Sequence, residues 1–264
     1  MKKLDFKSKK WDKELRNLEE VIKGTNGKFV EFHNLSVLGD FNTLPDKRKY
    51  LGYLSACVLN YYSIACDYYI MNNSDYRAVD YIYLSGISGI LADRLGKEAD
   101  RNKYQYKRIS ENELSLYELI ATDEAEIDFF KDKDSVIYHI YCGNYDKAEC
   151  LLQSIEMNDS IEEGCLYDTI EYLKAIYMAI IARNEELFNE ELAKRIRKYR
   201  KNMVGYSTII DVISIALIKM ARKAEINYHL DVIEIPKIFF DKNYRIDKEK
   251  LEPVFYEEAL EKWK

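Results

Sequence analysis

Residues 136–155 read VIYHIYCGNYDKAECLLQSI. Val136, Ile140 and Tyr141 share an apolar face, Cys142-Gly143-Asn144 interrupts it, and Leu151, Leu152 and Ile155 continue on one face beyond. Apolar residues at helical spacing on both sides of a Gly-Asn step spell a helix, a tight turn and an antiparallel partner helix. The pattern then recurs. Leu166, Ile170, Leu173, Tyr177 and Ile180 step by four, three, four and three; Arg183-Asn184-Glu185-Glu186 interrupts; Leu187, Phe188, Leu192, Ile196 and Tyr199 follow. Asn144 and Asn184 stand 40 residues apart in equivalent turns, a period proper to two-helix repeats. The expected fold is all-α, with antiparallel helical hairpins packed as a tetratricopeptide-like or α-solenoid bundle.

The flanking sequence agrees with a helical chain. Trp11, Leu15, Leu18 and Ile22 predict a first helix ended by Gly24 and Gly27, and residues 25–46, with Pro45, read as a connector. Residues 47–71 form a long helix stopped by Asn72-Asn73-Ser74, and Ser74 or Asp75 caps the next helix, which runs to about Leu95. Gly86 and Gly89 give that helix a small-residue face suited to close packing on a neighbour. Another helix begins at Leu114, Leu116 and Tyr117. Ile209, Ile213, Ala216 and Met220, with Ile210, Val212, Ile215 and Leu217, mark a helix buried on more than one side. Residues 228–246 read as a short extended segment that Pro236 keeps out of a helix, and Pro253–Trp263 as a short closing helix. With no Gly-, Pro- or Ser-rich linker, one domain spanning 1–264 is expected: N-terminal helices over 1–108, hairpin repeats over 109–205, and a closing helix and C-terminal segment over 206–264.

Composition narrows the function classes. Only 10 Gly and 3 Pro in 264 residues argue against an all-β sandwich, which needs frequent turns. The 47% hydrophobic and 33% charged content belongs to a globular chain, not a disordered one. A net charge of −6 disfavours nucleic-acid binding, which normally requires a basic excess. The charge-poor stretch Tyr50–Ile70 is long enough to span a membrane, yet its Tyr, Ser, Asn60 and Asp67 content predicts a buried core helix instead. Lysines near the start are not followed by an apolar stretch of signal-peptide length. Five cysteines (Cys57, Cys66, Cys142, Cys150 and Cys165) without a CxxC spacing fit reduced thiols in a cytoplasmic protein.

Catalytic signatures are sparse. His33, His139 and His229 belong to no metal-ligand spacing, and the sequence contains no GxSxG, Walker A or GxGxxG motif. Cys142 and Cys150 flank a turn without a base beside them and read as buried structural thiols. A non-enzyme with no cofactor and no metal is the expectation.

Charge is unevenly spread. Glu111, Glu113, Glu118, Asp123, Glu124, Glu126, Asp128, Asp132 and Asp134 crowd one stretch against Lys131 and Lys133 alone. Glu156, Asp159, Glu162, Glu163, Asp168 and Glu171 crowd a second with no base. Residues 194–201 instead hold six bases in KRIRKYRK, as a helix C-terminus favours. Such acidic stretches form either a solvated face or a negative surface that steers a basic partner. On the second reading, Glu124, Glu126, Asp128, Asp159, Glu162 and Glu163 are the candidate partner-binding residues.

The stretch Ala179–Arg200, AIIARNEELFNEELAKRIRKYR, resembles the helix-turn-helix core of the immunity protein 49 family of bacterial polymorphic toxin systems. Asp211, Ala216, the run Lys219-Met220-Ala221-Arg222-Lys223 and Ile235-Pro236-Lys237 resemble that family's closing helix and trailing proline segment. Tyr199 stands where the family commonly carries a His, and other helical immunity families carry similar hairpins. The resemblance implies a cytoplasmic protein that binds and neutralises a cognate toxin by stoichiometric occlusion, with neither nucleic acid nor membrane as partner. A basic toxin, such as a nuclease domain, would suit the acidic stretches. The alternative is a helical-repeat scaffold or peptide-binding regulatory protein without catalytic activity.

Overall fold

The computed structural model describes residues 20–27, 44–98, 135–154, 170–202 and 208–247. Among them the fold is helical, and no strand forms. The helices are α1 (20–27), α2 (Leu44–Met71), α3 (Arg77–Glu98), α4 (Val136–Tyr141), α5 (Tyr145–Ser154), α6 (Ile170–Ile181), α7 (Glu185–Asn202) and α8 (Val212–Lys223), with a 3-10 turn at Lys237–Phe240. They sort into two compact units, one formed by 1–109 with 242–264 and the other by 110–241.

In the first unit α2 and α3 pack along much of their length. Leu51, Leu54, Val58, Tyr61 and Ala65 on α2 recur at three and four residues and are buried, as are Ala78, Ile82 and Ser85 on α3. Tyr50–Ile70 is thus part of a core helix, and no described helix is long and apolar enough to cross a membrane. Two boundaries differ from expectation. Helix α1 continues through Gly24 to 27, and α2 starts at Leu44, ahead of 47. Pro45 therefore lies in a first turn, where a missing N–H costs nothing, and initiates the helix instead of breaking the connector. Asp75, and not Ser74, accepts the Arg77 N–H at 3.0 Å to start α3. Close α2–α3 contact comes through Ser85, whose buried hydroxyl donates to the Val58 carbonyl at 2.8 Å, while Gly86 and Gly89 are buried beside it.

A tyrosine cluster fills one end of this unit. Tyr68 stacks on Tyr81 at 5.4 Å between centroids, and the Arg77 guanidinium lies 4.1 Å over the Tyr68 ring. Burial pushes the Tyr81 phenol up to about 12. Residues 242–247 return to the same unit, where Tyr244 stacks on Tyr76 at 4.4 Å and its hydroxyl donates to Asp80.

In the second unit, α4 pairs with α5 and α6 with α7, while α6 also contacts α4, α5 and α8. The turns of the two hairpins are the same backbone circuit. At the end of α4, Cys142, Gly143 and Asn144 donate to the carbonyls of Tyr138, Ile140 and His139 at 2.9, 3.1 and 2.8 Å. At the end of α6, Ala182, Arg183 and Asn184 donate to Met178, Ile180 and Ala179 at 2.9, 3.1 and 2.9 Å. Both are Schellman turns, in which one left-handed residue satisfies the last carbonyls of a helix. That residue is Gly143 at φ +75° in the first and Arg183 at φ +51° in the second. A third follows α8, where Ala224, Glu225 (φ +65°) and Ile226 donate to Met220, Arg222 and Ala221. After the first two, Asn144 and Asn184 accept the amides of Ala148 and Phe188 and a partner helix begins. After the third, residues 226–236 form neither helix nor strand.

Helix α8 is the centre of this core. Each residue from Val212 to Ala221 is buried, as its wide apolar face led one to expect. Phe188, Leu192, Ile196 and Tyr199 bury one stripe of α7, and Leu173, Tyr177 and Ile180 one stripe of α6.

Candidate functional site

The polar chemistry of the described residues concentrates where α7, α8 and residues 226–236 meet. Asp211 precedes α8 and caps it, its carboxylate accepting the Ser214 N–H at 3.1 Å. The other carboxylate oxygen accepts the Ser214 hydroxyl at 2.7 Å. From α7, Arg195 donates to Asp211 at 2.8 Å and to the Ser214 hydroxyl at 3.1 Å. All three side chains are buried, so the ion pair is desolvated and survives because its hydrogen bonds are made. The Asp211 N–H donates to the Glu234 carbonyl at 2.8 Å, which ties the start of α8 to the returning segment.

Glu234 is itself a buried carboxylate. The half-exposed Arg200 guanidinium meets it with two bonds at 2.6 and 2.8 Å, the bidentate geometry that suits a planar fork. Tyr199, beside Arg200, donates to the carbonyls of Thr208 and Ile210. Its hydroxyl therefore holds the approach to α8.

A second polar group lies at the other end of α7. Glu185 accepts the Asn227 N–H at 2.8 Å and the Asn227 side-chain amide at 3.0 Å, and pairs with His229 Nε2 at 2.8 Å. The Asn227 N–H, followed by the His229 contact, holds the Glu185 carboxyl below the usual carboxylate range. Asn189, one turn along, donates to the carbonyls of Glu185 and Asn227 and accepts the His229 N–H.

The six acidic candidates, Glu124, Glu126, Asp128, Asp159, Glu162 and Glu163, lie outside the described residues, as do His33 and Cys165. His139 is buried on α4 with its ring edge-on to Tyr138, and His229 is exposed in the returning segment. Cys142 is half-buried and Cys150 exposed, which corrects the expectation that both are buried thiols. Position explains it: Cys150 lies two residues from the buried Leu152 and so on another face of α5. No described group of three His, Cys, Asp or Glu could hold a metal ion.

The basic run 194–201 is heterogeneous. Lys194 sits at the surface with Glu190 and Glu191, at 2.9 and 2.7 Å, as expected for a solvated face. Arg195 and Arg200 are instead internal ties to Asp211 and Glu234, a role missed in sequence. A signal existed for Arg195, which falls on the apolar stripe between Leu192 and Tyr199. Nothing comparable marked Glu185, Asn189 or Glu234. No family model matches this sequence, and no curated protein and no solved structure matches it.

Proposed function

We propose that this chain is an immunity protein, binding a cognate bacterial toxin one to one and neutralising it by covering its active face. The observation that carries this reading is that the stretches on which the family resemblance rests form one interlocked body. Ala179–Arg200 supplies the end of α6, the turn and all but the last two residues of α7, Asp211 and Lys219–Lys223 lie at the start and end of the α8 region, and Ile235-Pro236-Lys237 follows it. The tie Arg195–Asp211 runs between those stretches, and Glu234, the neighbour of Ile235, binds Arg200 through its carboxylate and the Asp211 N–H through its carbonyl. A rigid platform of this kind suits binding by complementarity, because little ordering entropy is lost on association.

Connectivity supports an acidic contact surface. Helices α4 and α5 run antiparallel through a tight turn, so the start of α4 and the end of α5 lie away from the turns. The stretch 111–134 leads into α4, and 156–171 leads from α5 into α6. Both acidic stretches therefore attach at the same end of the hairpins. In this proposal Glu124, Glu126, Asp128, Asp159, Glu162 and Glu163 meet a basic toxin in the cytoplasm, speeding encounter and selecting against wrong partners.

The test is co-expression with the protein encoded immediately upstream, scoring growth rescue and complex formation together. Rescue with a one-to-one complex supports the reading, and charge reversal at Glu124, Glu126, Glu162 and Glu163 should then weaken binding and flatten its salt dependence. A toxic neighbour that is neither bound nor rescued overturns it.

A second reading, a helical-repeat scaffold of tetratricopeptide-like or α-solenoid type, is favoured by one observation: the three Schellman turns at 142–144, 182–184 and 224–226 recur at 40 and 42 residues with identical hydrogen-bond offsets.

A further inference from the structure

Asn26 and Gly27 lie in the last turn of α1, and theirs is the only Asn-Gly step in the sequence. An asparagine side chain carries an electrophilic carbonyl carbon, and a following glycine leaves its own backbone nitrogen open to approach, because no Cβ shields it. Both residues are exposed to water. The neighbouring helix adds a hydrogen-bond donor. From α2, the Tyr61 hydroxyl donates to Asn26 Oδ1 at 2.8 Å. Tyr61 is 1% exposed, so core packing holds that donor in place.

In a closed helical turn the Gly27 nitrogen does not face the Asn26 side chain, so reaction between them proceeds from the opened turn. Two glycines make this turn easy to open. A Cβ at Gly24 or Gly27 would meet nothing within 4 Å, so packing does not demand glycine at either position. Each glycine weakens the helical turn relative to alanine. Side chains meanwhile keep the segment on α2. The Thr25 hydroxyl accepts the Asn60 amide at 3.2 Å, and the Thr25 carbonyl accepts the Cys57 thiol at 3.7 Å. Opening at Gly27 therefore leaves the Asn26 carbonyl beside Tyr61.

We propose that Asn26 is a self-modifying site, deamidated by attack of the Gly27 nitrogen with the Tyr61 hydroxyl activating the amide. The Gly27 nitrogen bonds to Asn26 Cγ and closes a succinimide ring. The Cγ–Nδ2 bond breaks, and ammonia leaves with the former Gly27 amide proton. Water then opens either ring carbonyl, giving aspartate or isoaspartate, so the net reaction consumes water and releases ammonia. Negative charge builds on Oδ1 during the attack, where the Tyr61 donor already points, and that hydrogen bond strengthens toward the transition state. Aspartate at this position keeps the tie to Tyr61 but sets an anion at a helix C-terminus, the end that disfavours it. Isoaspartate reroutes the backbone through the side-chain carbon. The site belongs to the first unit and is tested without a toxin.

The experiment ages the purified full chain in warm neutral buffer. Mass spectrometry then reads the tryptic peptide GTNGK, residues 24–28, with fragmentation that separates aspartate from isoaspartate. Peptides carrying Asn73, Asn184 and Asn189 serve as the internal reference. Asn26 should convert well ahead of them; conversion no faster than theirs overturns the proposal. Gly27→Ala should slow conversion about tenfold, and an unchanged rate overturns the proposed attack. Tyr61→Phe separates activation from restraint. Loss of an activating donor should slow conversion about fivefold. A hydrogen bond that only restrained the side chain would leave the rate unchanged or raise it when removed, and either result overturns the role of Tyr61. Should Tyr61→Phe lose its helical circular dichroism, the unaltered chain aged with and without urea decides. Conversion at least as fast in the folded chain as in the unfolded one supports activation; slower conversion overturns it.

Discussion

Arg195 and Asp211 meet at 2.8 Å with each side chain 1% exposed, joining the middle of α7 to the cap of α8. Removing one partner leaves the other charged and buried. Arg195→Ala should therefore destabilise the chain by about 3–5 kcal/mol. Replacing both groups, as Arg195→Leu with Asp211→Ser, keeps a capping oxygen and should cost less than Arg195→Ala alone. Urea denaturation followed by circular dichroism measures both.

The three Schellman turns make opposite predictions for similar positions. Arg183 and Glu225 hold φ of +51° and +65°, where a side chain strains the backbone. Arg183→Gly and Glu225→Gly should each stabilise by ~0.5–1 kcal/mol, since among the described residues they lose only their exposed mutual ion pair at 3.8 Å and, for Arg183, a loose contact 5.8 Å from the Tyr145 ring. Gly143→Ala should destabilise by ~1 kcal/mol. A Cβ there would meet nothing within 4 Å, so the cost is backbone strain alone. Thermal melts of the three variants give the signs directly.

Asn184 accepts the Leu187 N–H at 3.0 Å, and Ser135 accepts the Tyr138 N–H at 3.2 Å, each at a helix start. Asn184→Ala and Ser135→Ala should each cost about 1 kcal/mol, while Asn184→Asp should be nearly neutral. Denaturant midpoints suffice to check this.

Stability should also respond to pH through Asp80. Burial, only partly offset by the Tyr244 hydroxyl, raises its carboxyl above the usual carboxylate range. The folded chain therefore holds that proton at pH values where the unfolded chain has released it. Its contribution to stability is full below the unfolded value and is lost as pH rises through the folded one. Asp80→Asn should remove this component, so the variant gains on the original chain as pH is raised from 4 to 7. Glu185, held low by Asn227 and His229, contributes in the opposite sense: its share is lost as pH falls through its folded value. Melts across that range, with Glu185→Gln as a second variant, separate the two.

Much of the fold was legible because helical period and turn residues are local signals. The steps Leu173, Tyr177 and Ile180, the buried breadth of α8 and the equivalence of the Asn144 and Asn184 turns all read directly from spacing. What failed to read was long-range. Arg195 looked like a cation placed for a helix C-terminus, because its partner lies 16 residues away beyond a chain reversal. Glu234 sits 34 residues from Arg200, and Asn227 lies 38 residues from Asn189, separations that no window of sequence connects. Pro45 misled for another reason: the same residue type ends one helix and begins another, and only position within the first turn distinguishes the cases.

Gly143, Arg183 and Glu225 are a hydrogen atom, a cation and an anion at the same bend. What the three bends share is a wiring pattern of amides and carbonyls, indifferent to the letter written at its centre. The backbone circuit alone makes each bend, so the three positions carry side chains of opposite charge or none, and two of them bear left-handed strain that glycine avoids.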